Sequence, residues 1–230
     1  MGTVIDPGLR MVGEDLGRIF GDRLEAFVAY GSPEPAQSSL ALVRTLTIED
    51  LAACAARSGA WRREGAATPL VVPRAEFARA LDAFPVEFGE IMATHRVLAG
   101  TDPFAGLSIR PADLRRACEV QARSLLLHLR EDFIDCAGRP ARVAALVEES
   151  ASAFAAVLRN LARLDGGGGS GPLSPEAAAE RHGIDRRVAG DVMMLAGSGG
   201  HGAVDGARLF PEYLRAVEQL VAVVDQWSVA

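Results

Sequence analysis

The chain has 230 residues, of which 49% are hydrophobic and 23% are charged, so it can bury a full core and is not of disordered composition. Its formal net charge of -6 and its pI near 5.3 exclude a general attraction to nucleic acid or to an anionic membrane surface, so any anion site must be local. All 24 basic residues are arginines, which excludes chemistry through a Schiff-base lysine or a phosphate-loop lysine.

The first predicted element is a helix with apolar residues at helical spacing from Leu9 to Phe20. Asp6-Pro7 is a start signal for this helix, and Gly21 ends it. Residues 24–30 are apolar and rich in strand formers, and Gly-Ser-Pro follows them. We therefore predict a buried strand that ends in a turn.

Short strands and helices alternate in the next part of the chain. Thr47 and Asp50 resemble a capping box, which predicts a helix running to about Trp61. Pro73 stands where the first turn of another helix is expected. Three further strands are predicted, at residues 39–46, 68–72 and 95–99.

After Pro111 the pattern changes to long helical stretches. Two long helices are predicted to meet at Gly138-Arg139-Pro140, and a glycine-rich linker is predicted at 165–171. Three more helices follow, starting at about residues 174, 184 and 207. The predicted class is α+β, with a small mixed sheet flanked by helices in residues 1–108 and an all-α bundle of about four helices in residues 109–230.

The segment Phe-Val-Ala-Tyr-Gly-Ser at residues 27–32 resembles the opening of the nucleotidyltransferase fold. The run Val97-Leu98-Ala99-Gly100-Thr101-Asp102-Pro103 is similar to a late strand and turn of the same superfamily. The resemblance covers roughly the first half of the chain. It implies that Gly31 and Ser32 hold the phosphates of a nucleotide, and that the next strand carries Asp-x-Asp to bind magnesium.

In this chain Ser39 and Ala41 stand where the two aspartates are expected, so the usual metal ligands are missing. We therefore predict a divergent, non-catalytic pseudoenzyme without a cofactor, which binds a nucleotide or a small anion through Gly31, Ser32 and Ser39. One alternative is an active transferase with relocated Mg²⁺ ligands. The candidate ligands are then Glu87, Glu90 and Asp102.

Another alternative concerns the long helix after Pro111. Arg123 and His128 form an R-x-x-x-x-H pattern that resembles the ribonuclease motif of the HEPN family. That family is often paired with minimal nucleotidyltransferases in toxin–antitoxin systems. A structural or solvated role for these two side chains is the competing interpretation.

The remaining predictions concern compartment and partners. Cys54, Cys118 and Cys136 are widely spaced without a C-x-x-C pair, which indicates reduced and mostly buried thiols. The first residues lack the features of a secretion signal, and no apolar run reaches the ~18 residues that a membrane span needs, so we predict a cytoplasmic protein without membrane contact. The one-sided last helix fits packing inside the bundle, with a homodimer through the C-terminal helices as the competing interpretation.

Overall fold

A computed structural model describes residues 6–31, 37–166, 173–197 and 204–227. The chain divides into two compact units. The first contains the residues up to Phe84 together with Glu90–Ser108, and the second contains Pro85–Gly89 together with the chain from Ile109 onward. A four-stranded mixed sheet with helices is followed by a helical C-terminal region, so the predicted α+β class is confirmed.

Helix α1 (Pro7–Phe20) begins and ends where the sequence predicts. The Asp6 carboxylate accepts a hydrogen bond from the Gly8 N–H at 2.8 Å and so satisfies a backbone donor of the first turn. Gly21 ends the helix with a φ of 55°. The buried side chains of α1 form one stripe: Leu9, Val12, Asp15, Leu16 and Phe20.

The sheet of the first unit has the strand order β3-β2-β1-β4. Strand β1 is antiparallel to both of its neighbours, whereas β2 and β3 are parallel. The strands are β1 (Leu24–Tyr30), β2 (Ser38–Val43), β3 (Leu70–Pro73) and β4 (Arg96–Gly100).

Two of these strands are shorter than predicted. Strand β2 ends at Val43 because Val43 pairs with Leu24, the first residue of β1. Before Leu24 the chain forms a 3₁₀ turn (Gly21–Arg23), so no further strand is left to pair with. Strand β3 starts only at Leu70, directly after Pro69, which has no N–H for a ladder.

Three further helices contribute to this part of the chain: α2 (Ile48–Arg63), α3 (Arg74–Ala83) and α4 (Pro85–Thr94). The capping box is confirmed, since the Asp50 N–H donates to Thr47 Oγ1 at 3.3 Å and the Thr47 N–H donates to the Asp50 carboxylate at 3.0 Å. Pro73 is the N-cap residue of α3, one position before the first turn that was predicted for it.

The core of the first unit lies between one face of the sheet and helices α1 and α2. Alternate strand residues point to one face of a sheet. Phe27 and Ala29 of β1 and Ala41 and Val43 of β2 belong to one apolar cluster with Trp61 of α2. All five are at most 3% exposed, so α1 and α2 shield these five positions from solvent.

Gly100 closes the pairing of β1 with β4 and is expected to tolerate no side chain. Its φ is 76°, and a Cβ atom built on it would lie 2.0 Å from the backbone oxygen of Glu25. We expect Gly100→Ala to lower the free energy of unfolding by at least ~2 kcal/mol, because it adds a backbone clash to a left-handed conformation. Chemical denaturation followed by the fluorescence of buried Trp61, in a Trp227→Phe background, measures the change.

Gly106 provides the matched control for Gly100. Its φ is also 76°, but a Cβ atom there meets nothing within 4 Å. Gly106→Ala therefore carries the conformational cost alone, ~1 kcal/mol. Equal effects of the two substitutions would contradict the close approach of β1 and β4.

The second unit is helical, and α6 is its central helix. Helices α5, α7, α8 and α9 all contact α6. Phe154 of α6 meets Tyr213 of α9 edge to face, with ring centroids 5.5 Å apart. The helices are α5 (Pro111–Asp135), α6 (Pro140–Gly166), α7 (Pro175–Arg181), α8 (Arg186–Gly197) and α9 (Gly206–Gln226).

This bundle accounts for two features of the sequence. The apolar face of α9 is buried in the bundle core, including Leu209, Val217 and Leu220, which explains its one-sided pattern. Helix α6 extends two residues into the predicted linker, where the Asp165 carboxylate lies 2.7 Å from His182 Nε2. Residues 167–171 of that linker lie outside the described residues.

The cysteine prediction is confirmed, since all three cysteines are buried and none forms a disulfide. In the described part of the chain, every helix is too short or too polar to cross a membrane.

Candidate functional site

Gly31, which the resemblance assigns to phosphate binding, directly follows β1. Its φ is 71°, and its N–H donates to Thr94 Oγ1 at 3.0 Å. The Thr94 hydroxyl in turn donates to the backbone oxygen of Glu90 at 2.8 Å. The Gly31 N–H is therefore already engaged within the first unit, and Ser32 lies outside the described residues.

Polar side chains also fix the start of β2 beside this turn. Gln37 Nε2 donates to the backbone oxygen of Tyr30 at 2.6 Å. Burial raises the pKa of the Tyr30 hydroxyl, and a hydrogen bond with Ser38 offsets part of that rise. Tyr30 is therefore neutral at physiological pH, so it adds no negative charge to this end of the sheet.

Ser39 and Ala41, the positions where paired aspartates are expected, lie inside the first unit. Ser39 is 1% exposed and Ala41 is 0% exposed. Ala41 packs in the cluster formed with α1 and α2, and Ser39 points to the same face because it is two residues away on β2. These two residues do not fit a magnesium ion, since neither carries a carboxylate that could hold a divalent cation.

The Ser39 hydroxyl stands out among the buried polar groups. Within the described part of the chain, Ser39 Oγ is the one buried side-chain oxygen or nitrogen without a hydrogen-bond partner. A buried hydroxyl without a partner costs about 1–3 kcal/mol. A ligand atom within hydrogen-bond distance would recover this free energy.

Arg96 lies in the same row of the sheet as Ser39. Ala29 of β1 pairs with Ser39 on one side and with Arg96 of β4 on the other. Paired residues of neighbouring strands point to the same face, with Cβ atoms roughly 5 Å apart. Arg96 is half-buried and makes no ion pair with a described residue, so it places a positive charge in this row.

His95 and Asp102 form a second polar pair near the start of β4. His95 Nε2 lies 3.1 Å from Asp102 Oδ1, and Nδ1 lies 2.9 Å from the backbone oxygen of Met92. Both partners only accept hydrogen bonds, so a ring nitrogen that carries a proton donates to the partner beside it. Asp102 also accepts the Phe104 N–H at 2.9 Å. It therefore holds a turn together, which competes with a role as a metal ligand.

The other two carboxylates proposed as relocated metal ligands belong to different units. Glu87 belongs to the second unit, where its carboxylate accepts a hydrogen bond from Gln121 at 3.0 Å. Glu90 belongs to the first unit. In the ranges that the structure describes, no group of three or more His, Cys, Asp or Glu side chains could hold a metal ion.

Arg123 and His128 both lie on α5, but on different sides of it. Five residues along an α-helix correspond to a rotation of about 140°. Arg123 is engaged with Asp225 of α9, with both carboxylate oxygens 2.7 Å from its Nη2 atom. His128 is 68% exposed, with Glu131 3.8 Å away. The helix thus separates the two side chains, and one of them ties α5 to α9.

Arg96 is the residue of this site that the sequence analysis missed. Its signal was weak, because one arginine at the start of a strand is common. The hydroxyl of Ser39, directly before the apolar segment Leu-Ala-Leu-Val, gave a clearer signal. The sequence does not show that Ser39 and Arg96 lie in one row of the sheet, because that depends on the order of the strands.

No protein-family model matches the chain, and no curated protein matches it.

Proposed function

We propose that this protein is a divergent, non-catalytic nucleotidyltransferase-like protein that binds a nucleotide or another anion beside the Gly31 end of β1. The observation that carries the proposal is the unpartnered hydroxyl of Ser39, buried where the resemblance expects a metal-binding carboxylate. A hydroxyl can donate to a phosphate oxygen without a metal ion, whereas two carboxylates would repel it.

Arg96 supports this proposal electrostatically. Its guanidinium group comes from the row that also contains Ser39, with only the short side chain of Ala29 between them. An anion that bridges the two gains a charge-assisted hydrogen bond from arginine and a second bond from the hydroxyl. The protein as a whole is acidic, so this local positive charge decides where an anion binds.

Titration calorimetry of the full chain with ATP tests the proposal. We expect the affinity to be the same, within about twofold, with magnesium and with a chelator, because no metal ion bridges protein and phosphate. Ser39→Ala is expected to weaken binding about 5- to 10-fold, and Arg96→Gln at least tenfold. Arg10→Gln removes the same charge at an exposed site on α1 and should leave the affinity unchanged.

The stability of the unliganded Ser39→Ala variant provides an independent readout. Removal of an unsatisfied buried hydroxyl is expected to raise the free energy of unfolding by about 1 kcal/mol. A hydroxyl with only a structural role would lower stability when removed. Denaturation followed by Trp61 fluorescence separates these outcomes.

Two results would contradict the proposal. Tight ATP binding that requires magnesium, together with release of pyrophosphate, would establish an active transferase with other metal ligands. Absence of any ATP-dependent heat at millimolar concentration would exclude ATP as the ligand, and the same result with inorganic phosphate and pyrophosphate would exclude an anion site.

A further inference from the structure

Helix α5 carries an exposed apolar stripe on the side that α6 does not cover. Val120, Leu127 and Ile134 are 63%, 65% and 76% exposed. They are seven residues apart, so they lie within about 20° of one line along the helix and span roughly 21 Å. The buried face of α5, which includes Leu125 and Leu129, is separate from this stripe.

Charged residues border the stripe asymmetrically. Counting about 100° per residue from Leu127, the arginines lie up to about 60° to one side, and acidic residues lie about 40° to the other. The basic edge consists of Arg116, Arg123 and Arg130, and the acidic edge contains Asp113 and Glu131.

These edges are accessible. The side chain of Arg130 is 51% exposed although it contacts Glu218 of α9 at 2.7 Å, and the side chain of Glu131 is 74% exposed. Arg116 is exposed and makes no ion pair with a described residue. Arg116, Arg130 and Glu131 can therefore meet a charged partner at the rim of an apolar contact.

We propose that the stripe is a homodimer interface in which two copies of α5 pack in parallel about a two-fold axis along the helices. Such an axis brings the basic edge of one copy against the acidic edge of the other. Arg130 then lies opposite Glu131 of the second copy, offset by about 1.5 Å along the axis. A two-fold axis perpendicular to the helices would instead place each edge against itself, with arginine facing arginine.

The contact is small, so we expect the two copies to associate weakly. Stable dimers bury about 800 Å² per partner, and three apolar side chains along 21 Å provide less. We therefore expect a weak dimer, with a dissociation constant of roughly 10–500 μM. The proposal is independent of the anion site in the first unit.

Sedimentation equilibrium of the full chain over roughly 1–500 μM measures the association. Leu127→Glu is expected to raise the dissociation constant at least tenfold, because it places two charges at the centre of the contact. Glu131→Arg should weaken the dimer, and adding Arg130→Glu should restore it, with both measured in a Glu218→Gln background because Arg130 pairs with Glu218 of α9. Glu149→Arg makes the same charge change at an exposed position of α6 and serves as the control.

Cysteine cross-linking determines whether the two copies of α5 pack parallel or antiparallel. The native cysteines are buried, so an exposed cysteine introduced on the stripe reacts selectively. In the parallel arrangement Val120→Cys and Ile134→Cys each form disulfide dimers by themselves. Ala145→Cys, exposed on α6, measures random collision. A monomer at every concentration, a dimer insensitive to Leu127→Glu, or cross-links only between mixed Val120→Cys and Ile134→Cys would overturn the proposal.

Discussion

Ala41→Asp is expected to unfold the first unit or to lower its free energy of unfolding by ~4 kcal/mol or more. Position 41 is fully buried on the sheet face covered by α1 and α2, among Phe27, Val43 and Trp61. A carboxylate there loses its hydration and gains no compensating partner. Urea denaturation followed by Trp61 fluorescence, in a Trp227→Phe background, measures the loss for this unit alone.

Two further variants show how much of the loss is due to the charge of the new side chain, to its size and to its buried position. Ala41→Asn has nearly the same shape without the charge, so it should cost less, ~2 kcal/mol. Ala52→Asp makes the same chemical change at an exposed position of α2 and should be close to neutral. Because protonation removes the buried charge, the gap between Ala41→Asp and Ala41→Asn should narrow as the pH falls.

The same experiment tests whether position 41 lies in the core. If Ala41→Asp folds with parental stability and binds magnesium, position 41 faces an open cleft and not the core. A single substitution would then be enough to create a metal site. Failure to fold would show instead that the metal-binding aspartates of the resemblance have no place on this face.

Local signals in the sequence predicted most of the helix ends. Asp6, Thr47 and Ser174 each accept a backbone hydrogen bond at the start of a helix, as expected from their position before an apolar run. Capping depends on residues a few positions apart, so the sequence contains all of the information. Strand β2 was predicted three residues too long because its end depends on where its partner β1 begins.

Helix α4 was not predicted as an element. Its sequence, Pro-Val-Glu-Phe-Gly-Glu-Ile-Met-Ala-Thr, has a proline in the first turn but also a glycine in the middle. Gly89 costs helix propensity but allows close packing, since a Cβ atom there would lie 3.0 Å from Asn160 Oδ1 of α6. A tertiary contact with a residue about 70 positions away thus decides this helix.

The candidate site was only partly predictable for the same reason. The absence of aspartate at positions 39 and 41 is visible in the sequence, but the burial of both side chains is not. The row that joins Ser39, Ala29 and Arg96 depends on the pairing of β1 with β4, about 70 residues apart in the chain. Pairing at that distance leaves no local pattern.

Asp15→Ala is the second substitution with a large expected effect, a loss of ~3 kcal/mol from the first unit. The Asp15 carboxylate is 4% exposed and accepts hydrogen bonds from Trp61 Nε1 at 2.9 Å, Arg57 Nε at 2.8 Å and Arg18 at 2.7 Å. Its removal leaves the fully buried indole N–H of Trp61 without a partner, and it breaks two charge-assisted hydrogen bonds. Denaturation at neutral pH measures the loss.

The stabilisation of the first unit by Asp15 should decrease as the pH falls. Burial alone would raise the pKa of this carboxyl, but the hydrogen bonds from Arg57 and Trp61 and the positive charges of Arg57 and Arg18 outweigh burial and lower it. A carboxyl with a lowered pKa stabilises the fold above its unfolded value of 3.8, and that contribution is lost as the pH falls through the folded value. The difference between the parent and Asp15→Asn should therefore shrink below about pH 4.

Asp50 is expected to share this acid sensitivity, because hydrogen bonds from Arg23, above all, lower its pKa to about 2 despite its burial. Acid unfolding of the parent below pH 4 therefore has contributions from both residues, and Asp15→Asn should leave the Asp50 contribution in place.

Glu14→Ala is the matched control for Asp15→Ala. Glu14 precedes Asp15 on α1 and also contacts Arg18, at 3.4 Å, but its side chain is 58% exposed. Solvent screens such a pair, so its loss should change the free energy of unfolding by less than about 0.5 kcal/mol. If Glu14→Ala and Asp15→Ala cost the same, burial of the carboxylate and its bond to Trp61 do not stabilise the first unit. The apolar contacts between α1 and α2 would then have to account for its stability.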